Sequence, residues 1–310
     1  MKIGILFSGQ GAQYPGMIKD LYESESAARE IFDIADCALG RDISKICFEA
    51  SQEELNMTHN TQPCMLAGDL ASAMVLKHHG IMADAVAGFS LGEYAALAYA
   101  GAITLDAAFR IIQIRADAMQ EAVPAGKGAM AAFVGATAKQ VEDICARVTS
   151  GYVAAANYNS PIQTVVSGAT SAVDEACELA DTEGLRCVKL SVSAPFHCAL
   201  MEPAARKLEE EFTRITFHNP IIPVYMNVDG RPVSEGNVIA ELLVNQAMSP
   251  VHWVQTLENM KADGIDTFIE CGAGKTLSGL VKKTLKDVKI LRVENYKTLS
   301  ETLSVLDNVD

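Results

Sequence analysis

The sequence predicts an α/β fold, in which helices cover both faces of a mostly parallel sheet and a small domain is inserted into the chain. Short apolar runs typical of buried strands alternate with longer helical segments over residues 1–126 and again after residue 195. Residues 127–194 instead follow the order strand–helix–strand–strand–helix–strand, which is ferredoxin-like. We therefore predict a larger domain formed by 1–126 and 195–310 and an inserted domain formed by 127–194.

Each element of the larger domain has its own signal. Ser24 is placed to cap a helix, residues 51–54 form a capping-box sequence that opens a short helix, and Gly80 is a usual residue just beyond a helix end. Hydrophobic periodicity supplies the rest. In chain order we predict a strand at 3–7, helices at 24–39 and 63–79, a strand at 85–89, a helix at 104–123, then, after the insert, a helix at 201–214, a strand at 224–227, helices at 238–248 and 251–262, a strand at 267–270 and terminal helices.

The insert consists of shorter segments that begin after Pro124-Ala125-Gly126. The residues Asn159-Ser160-Pro161 are typical of a turn, and they separate its two central strands. The predicted strands are 129–134, 153–157, 163–167 and 186–190, and the predicted helices are 138–148 and 173–183.

Composition excludes several classes of protein. Of the 310 residues 49% are hydrophobic, which is enough for a large core, and the net charge of −14 argues against nucleic acid or an anionic membrane as a partner. No stretch approaches the roughly 20 apolar residues of a membrane span, and the N-terminal apolar run is too short for a signal peptide. The eight cysteines lack metal-site spacing and are predicted to be mostly small buried side chains. We predict a cytoplasmic protein without a metal.

A serine between two glycines points to nucleophilic chemistry. Residues 86–101 read VAGFSLGEYAALAYAG, so an apolar run leads into Gly88-Phe89-Ser90-Leu91-Gly92 and a helical segment follows at once. In G-x-S-x-G the serine lies on a sharp strand-to-helix turn with its hydroxyl exposed, and the N–H groups at the helix N-terminus suit an oxyanion. The alternative is a glycine-rich connection with an incidental capping serine. We predict that Ser90 is a nucleophile.

Among the six histidines, His197 is the best candidate for the base that a reactive serine needs. In SVSAPFHCALM a strand of the insert has ended, Pro195 sets a turn, and a helix follows. His197 therefore faces a boundary between domains, where clefts form. The alternative is a histidine that stabilises a turn. Gly9-Gln10-Gly11 follows the first predicted strand and offers a backbone N–H for a second oxyanion contact.

The helix predicted at 104–123 places one arginine inward and one outward. At about 100° per residue, Arg115 lies about 60° from the centre of the apolar stripe, whereas Arg110 falls on the opposite side. A buried guanidinium keeps its charge and needs a partner. That partner is either an acidic residue in a structural salt bridge or the free carboxylate of a substrate.

Seven segments, in order and over essentially the whole chain, resemble the malonyl-CoA:acyl carrier protein transacylase family. The fold of that family is an α/β-hydrolase-like domain with a ferredoxin-like insertion, so the resemblance implies that 1–126 and 195–310 form the catalytic domain. The segments are FSGQGAQYPGM at 7–17, GFSLGEYAAL at 88–97, IRADAM at 114–119, NSPIQTVVSG at 159–168, SAPFHCALM at 193–201, NQAMSPVHW at 245–253 and ECGAGKTLSGL at 270–280.

The resemblance implies transfer of a malonyl group from malonyl-CoA, through an acyl-enzyme, to the phosphopantetheine thiol of acyl carrier protein in fatty acid biosynthesis. We also predict a monomer that needs no cofactor besides its CoA thioester substrate. Phe89 departs from the family, where histidine commonly precedes the serine, and this bears on pocket shape and substrate range. The implied roles are Ser90 as nucleophile, His197 as base, the N–H groups of Gln10 and Leu91 as oxyanion hole, Arg115 as carboxylate ligand, Gln62, Asn159 and Phe196 as substrate-binding residues, and the main-chain carbonyl of Gln246 as the group that orients His197.

Three alternatives stay open at this level. The first is a stand-alone acyltransferase of a polyketide assembly line, the second is a serine esterase or thioesterase, and the third is a non-catalytic carrier-binding module. Residues 275–292 carry six Lys or Arg and only Asp287 as an acid, which predicts either a solvated helix face or a docking patch for an acidic carrier protein. The lysines of this patch are Lys275, Lys282, Lys283 and Lys286.

Overall fold

Strands and helices are interspersed along the chain, but two helices before residue 58 and a strand at Lys289–Val293, where terminal helices are predicted, are additional to the prediction. The structure, a computed structural model, describes residues 1–124, 126–190, 192 and 194–307. In chain order its elements are β1 (Ile3–Phe7), α1 (Lys19–Ser24), α2 (Ser26–Leu39), α3 (Ile43–Glu49), α4 (Gln52–Leu55), α5 (Thr58–His78), β2 (Ala85–Gly88), α6 (Gly92–Tyr99), α7 (Leu105–Glu121), β3 (Gly128–Val134), α8 (Ala138–Cys145), β4 (Val153–Ser160), β5 (Gln163–Ala169), α9 (Thr170–Thr182), β6 (Arg186–Lys189), α10 (Glu202–Phe212), β7 (Val224–Tyr225), β8 (Pro232–Val233), α11 (Ile239–Met248), α12 (Trp253–Ala262), β9 (Thr267–Cys271), α13 (Thr276–Thr284), β10 (Lys289–Val293) and α14 (Tyr296–Asp307).

The main sheet has the strand order β10–β9–β1–β2–β7–β8 within the described residues, and each neighbouring pair is parallel except β7 with β8. Successive residues of the central strand β1 enter different cores. Ile5 and Phe7 pack into the largest apolar cluster, whereas Leu6 packs on the other face with Trp253 and Phe268. Both faces of this sheet are therefore covered, which is the usual state of a parallel sheet.

The second sheet is antiparallel, in the order β4–β5–β3–β6. Helices α8 and α9 pack on one of its faces around Phe133, Val141 and Val173. This strand order and the two helices make a ferredoxin-like unit within residues 128–189. The mixed α/β class is thus confirmed, while the boundaries of the inserted domain at 127 and 194 stay a prediction.

Several local predictions are wrong for identifiable reasons. Ser24 ends α1 instead of capping a helix, and Glu25 is the residue before α2. Helix α5 begins at Thr58, so Pro63 lies inside it. Proline has no N–H for the carbonyl of His59, and the Arg41 guanidinium donates to that carbonyl instead, over 3.1 Å.

Two further corrections concern the second sheet. Strand β4 continues through Ser160, so Asn159 lies in a strand and not in the predicted turn. Cys177 and Cys187, predicted as ordinary buried side chains, are joined by a disulfide between α9 and β6. Spacing alone gave no sign of this pair, because packing of the helix on the strand brings the two Cα atoms to 5.4 Å. Within the described part of the chain, no helix is both long and apolar enough to cross a membrane.

Candidate active site

Ser90 lies on a strained turn between β2 and α6. Its φ angle is 56°, in the left-handed region that non-glycine residues rarely adopt. A Cβ atom at Gly88 would stand 1.9 Å from the Gly92 carbonyl carbon, and one at Gly92 would stand 2.4 Å from the Phe7 carbonyl oxygen. The two glycines are thus required because the end of β2, the start of α6 and the end of β1 touch backbone to backbone. The predicted strand–turn–helix geometry around Ser90 is confirmed.

His197 is hydrogen-bonded to this serine and is held from behind by a backbone carbonyl. The Ser90 Oγ lies 2.6 Å from Nε2 of His197, and Nδ1 lies 2.9 Å from the carbonyl oxygen of Gln246. A carbonyl oxygen can only accept, so Nδ1 carries the proton and Nε2 is free to accept the proton of the serine hydroxyl. The arrangement is that of a serine nucleophile with a neutral imidazole base.

Burial keeps this imidazole in its basic form. His197 is buried, and its desolvation, together with the positive charge of Arg115, lowers its pKa to about 4. The neutral form therefore dominates at physiological pH. The hydrogen bond from Nδ1 to the Gln246 carbonyl opposes this shift, but desolvation and the charge of Arg115 outweigh it.

The structure confirms that Arg115 points inward and Arg110 outward. Arg115 is 1% exposed, although it is one of the largest side chains of the chain, and Arg110 forms a surface ion pair with Asp106 at 2.9 Å. Helical periodicity was sufficient for this prediction because the buried side of α7 extends from its apolar stripe to Ile111 and Arg115, whereas Arg110 lies on the opposite side.

Neutral oxygens surround the buried guanidinium. Arg115 donates through Nη1 to Oε1 of Gln62 at 2.9 Å, and through Nη2 to Ser90 Oγ and to Oε1 of Gln246, both at 3.1 Å. Its guanidinium carbon lies 5.5 Å from the ring centroid of Tyr94, and its Nε has no partner in the part of the chain that the structure describes. No carboxylate of that part lies within ion-pair distance either, which argues against the structural salt bridge.

The serine opens into a cleft of about 750 Å³ between the two sheets. Every predicted site residue contributes to its lining except Gln246, which lies behind His197. On one side of the cleft, the main sheet supplies the loop after β1 and the turn formed by residues 88–92, which we call the elbow. On the other side, the second sheet supplies residues of β3, β4 and β5. The predicted residues in this lining are Gln10, Gln62, Ser90, Leu91, Arg115, Asn159, Phe196 and His197, with Lys275 and Lys283 from the basic patch.

The backbone N–H groups of Gln10 and Leu91, the predicted oxyanion donors, have no hydrogen-bond acceptor among the described residues. Both residues border the cleft beside Ser90. Leu91 precedes the first residue of α6, so its N–H belongs to the positive end of that helix. Among the described residues no group of three or more His, Cys, Asp or Glu side chains is arranged to hold a metal ion.

Sequence reasoning missed three buried polar groups of this site. The side chain of Gln246 donates to the Ser90 carbonyl at 2.7 Å, in addition to the role of its main chain. Asn227 accepts from the Ser90 N–H at 2.7 Å, and Glu93 accepts from the Asn227 N–H at 2.6 Å. Burial raises the pKa of Glu93 to about 8. The only sequence signal for Asn227 was its place as the last residue of a predicted strand of the main sheet.

Phe89, the departure from the family pattern, lies in the wall of the cleft. Its ring meets Trp253 edge-on, with 5.3 Å between ring centroids. It joins the apolar cluster on the α12 and α13 side of the sheet. The substitution therefore changes an apolar wall, whereas the pair of Ser90 and His197 stays intact.

Comparison with known proteins agrees with this geometry. The family model described as "Acyl transferase domain" matches residues 5–300. The chain is 42% identical over 308 residues to the malonyl CoA-acyl carrier protein transacylase of Bacillus subtilis, covering 98% of this chain and 97% of the relative.

Solved structures give the same result. The malonyl CoA-acyl carrier protein transacylase from Clostridium perfringens superimposes with a TM-score of 0.96 at 42% identity, over 99% of this chain and 98% of that one. A malonyl-transacylase in complex with its type II PKS acyl-carrier protein superimposes with a TM-score of 0.95 at 36% identity, over 98% of this chain and 100% of the other.

The rate of Ser90 acylation by an acyl thioester should be insensitive to pH from neutrality down to about pH 5 and fall only below it. The reason is that His197 must be neutral to act as a base, and its pKa is lowered to about 4. Rapid-mixing pH jumps with intact-mass detection measure this rate before acid unfolds the protein, and circular dichroism at each pH is the control. A midpoint near the ordinary histidine pKa of about 6.5 would contradict the expectation.

Proposed function

The chain belongs to the acyl transferase domain family, and we propose that it transfers a malonyl group from malonyl-CoA to the phosphopantetheine thiol of acyl carrier protein in fatty acid biosynthesis. The observation that carries this proposal is the buried Arg115, whose Nη2 lies 3.1 Å from Ser90 Oγ and whose hydrogen-bond partners among the described residues are all neutral oxygens. A malonyl thioester has a free carboxylate close to its reacting carbonyl. The guanidinium can bind that carboxylate through two N–H groups.

In the first half-reaction, His197 removes the hydroxyl proton as Ser90 Oγ attacks the thioester carbonyl. The negative charge that develops on the carbonyl oxygen is stabilised by the N–H groups of Gln10 and Leu91. The carbon–sulfur bond then breaks, the CoA sulfur takes the proton from His197, and malonyl-Ser90 remains. In the second half-reaction the phosphopantetheine thiol gives its proton to His197 and attacks the ester, which returns Ser90 to its hydroxyl form.

The arginine network changes partners in this scheme. In the free protein Nη2 of Arg115 donates to Ser90 Oγ, and Gln62 and Gln246 hold the rest of the group. A substrate carboxylate replaces neutral oxygens with a charged acceptor, which gives stronger hydrogen bonds. An acetyl thioester lacks that carboxylate, so the exchange favours malonyl groups over acetyl groups.

We infer that the basic patch, defined as Lys275, Lys282, Lys283 and Lys286, docks the acidic carrier protein. The four side chains are exposed on and beside α13, and Lys275 and Lys283 border the entrance of the cleft. None of the four forms an ion pair with a described residue, although the chain carries a net charge of −14. A local positive surface reduces the repulsion between two acidic proteins. The cytoplasmic location and the monomeric state stay predictions.

Replacement of Ser90 by alanine should abolish labelling by malonyl-CoA without unfolding the protein, because the alanine removes only the nucleophilic oxygen. Intact-mass measurement after mixing with malonyl-CoA should show one malonyl group on the natural protein and none on Ser90→Ala. Labelling of the Ser90→Ala variant would refute the assignment of Ser90 as the nucleophile. Rapid release of free malonate in the absence of carrier protein would instead indicate a hydrolase.

Arg115→Ala should lose malonyl transfer while acetyl transfer holds or rises, because only the malonyl group uses the guanidinium. The kcat/KM for malonyl-CoA is expected to fall by about 100-fold, the scale of a lost charge-assisted hydrogen-bond pair. Arg110→Ala is the matched control, since it removes an exposed arginine from the same helix. A parallel loss of both activities, with a lower thermal unfolding temperature, would show that Arg115 is structural.

The double variant Lys282→Glu, Lys283→Glu should raise KM for acyl carrier protein and leave KM for malonyl-CoA unchanged. The matched control is Lys139→Glu, Lys207→Glu, which reverses two exposed lysines on α8 and α10, away from the cleft. Carriers of fatty acid synthesis and of a type II polyketide system are both assayed, so that a preference between them appears as a ratio of kcat/KM. Equal changes of KM for carrier protein and malonyl-CoA would show that the lysines bind CoA or serve only as a solvated face.

A further inference from the structure

The backbone of Ser90 is held on both sides by buried side chains. Its N–H donates to Oδ1 of Asn227 at 2.7 Å, and its carbonyl accepts from Nε2 of Gln246 at 2.7 Å. A residue in the left-handed region keeps that conformation only when its surroundings over-determine it. The φ angle of 56° at Ser90 is therefore maintained by these contacts together with the Glu93 N–H at the start of α6, which donates to the Ser90 carbonyl at 3.2 Å.

Asn227 bridges the turn with both ends of its amide. While Oδ1 accepts from Ser90, Nδ2 donates to the Gly88 carbonyl at 2.7 Å, so the side chain spans the last residue of β2 and the nucleophile. The partners fix the orientation of the amide, because a peptide N–H needs an acceptor and a carbonyl needs a donor. Asn227 is completely buried.

Glu93 closes a ring of contacts around the elbow. It lies in the first turn of α6, and its Oε2 accepts from the Asn227 N–H at 2.6 Å. The Asn227 carbonyl accepts from the His252 N–H at 2.8 Å, just before α12. The segment after β7 is thereby joined to β2, to the elbow, to α6 and to α12 at once.

We propose that Asn227 and Glu93 are positioning residues, which set the orientation of the Ser90 hydroxyl and of the Leu91 N–H by clamping the turn between β2 and α6. The side chains of Asn227 and Glu93, which we call the clamp, contact neither the Ser90 Oγ nor the His197 Nε2. It acts through the backbone from which Oγ reaches His197 at 2.6 Å and from which the Leu91 N–H faces the cleft. Rotation of the Ser90 peptide would displace both groups together.

The proposal rests on Ser90 being the nucleophile of the proposed function, so its test includes a probe that needs no acyl-CoA. A fluorophosphonate reacts with activated serine hydroxyls and reports their nucleophilicity, whichever acyl group the protein carries. If the natural protein reacts with the fluorophosphonate but is not labelled by malonyl-CoA, the proposed function is contradicted, whereas the clamp can still be tested.

Asn227→Asp is the decisive variant because it keeps the shape and the acceptor but replaces the donor that faces Gly88. An ionised carboxylate cannot donate to that carbonyl, whereas a protonated carboxyl can. Burial and the neighbouring Glu93 raise the pKa of a carboxyl at this position above its ordinary value of about 3.9, so the carboxyl regains its proton as the pH falls toward about 5.5. Fluorophosphonate and malonyl labelling should be about 100-fold slower than in the natural protein at about pH 8, the scale of a misplaced reacting group, and the ratio should recover toward about pH 5.5. The titratable or charged groups around this position are Glu93 on α6, Arg115 on α7, Asp229 on the same loop and His252 before α12.

Asn227→Ala should slow both labelling reactions at every pH, with little change in KM for malonyl-CoA. Asn259→Ala is the matched control, because Asn259 also donates to a backbone carbonyl, that of Gly230 at 2.8 Å, without touching the elbow. The control is expected to lose stability but to keep the labelling rate of its folded fraction. If the alanine variant of Asn227 does not fold, the aspartate variant decides alone.

Two results would overturn the clamp. One is a folded Asn227→Ala that reacts at the rate of Asn259→Ala. The other is a labelling ratio between Asn227→Asp and the natural protein that stays constant from about pH 8 to about pH 5.5. Thermal unfolding of the variants is followed at each pH, and the labelling rates are compared for folded protein. A recovery with falling pH then reports the protonation of the introduced carboxyl and not a change in the folded fraction.

Discussion

A buried positive charge, which has no carboxylate partner in the described part of the chain, organises the cleft of this protein. Desolvation of the Arg115 guanidinium is costly, and the chain offsets it with oxygens of Gln62, Ser90 and Gln246 and with the face of Tyr94. The same charge helps to keep His197 neutral. One interaction thus orients the nucleophile, favours the basic form of its partner and leaves the site attractive to an anionic substrate.

Steric crowding at the elbow is the second constraint on the site. Backbones of β1, β2 and α6 meet where Gly88 and Gly92 leave no room for a side chain, and this close approach raises Ser90 above the end of the sheet. Because the turn is strained, it needs contacts from outside its own segment. Asn227 comes from the end of β7, the neighbour of β2 in the sheet, so sheet order brings the contact to the turn.

The second sheet completes a cleft that the main sheet alone would leave open. Strands β3, β4 and β5 place Met130, Asn159 and Val165 opposite the elbow. At the entrance, α13 adds two leucines and Lys283, and Lys275 lies just before that helix. The wall of the cleft thus combines apolar side chains with the amides of several Gln and Asn residues, whereas its entrance is basic. Such a shape suits a long, flexible thioester arm whose carrier is acidic.

The sequence by itself determined what depends on neighbours along the chain. Alternating periodicity predicted both sheets, the helical position of Arg115 predicted its burial, and the glycines flanking Ser90 predicted the sharp turn. Local patterns failed where a distant group intervened, as at Pro63, whose missing N–H is replaced by Arg41.

Only the tertiary structure decided which distant groups meet at the serine. The contacts of Ser90 with His197, Asn227 and Gln246 join residues 107, 137 and 156 positions apart. Hydrogen bonds over such separations leave no periodicity in the sequence, because they depend on strand order and helix packing. For the same reason Gln246 could be assigned its main-chain role by resemblance, while the role of its side chain, and the whole of Asn227, became visible only in the fold.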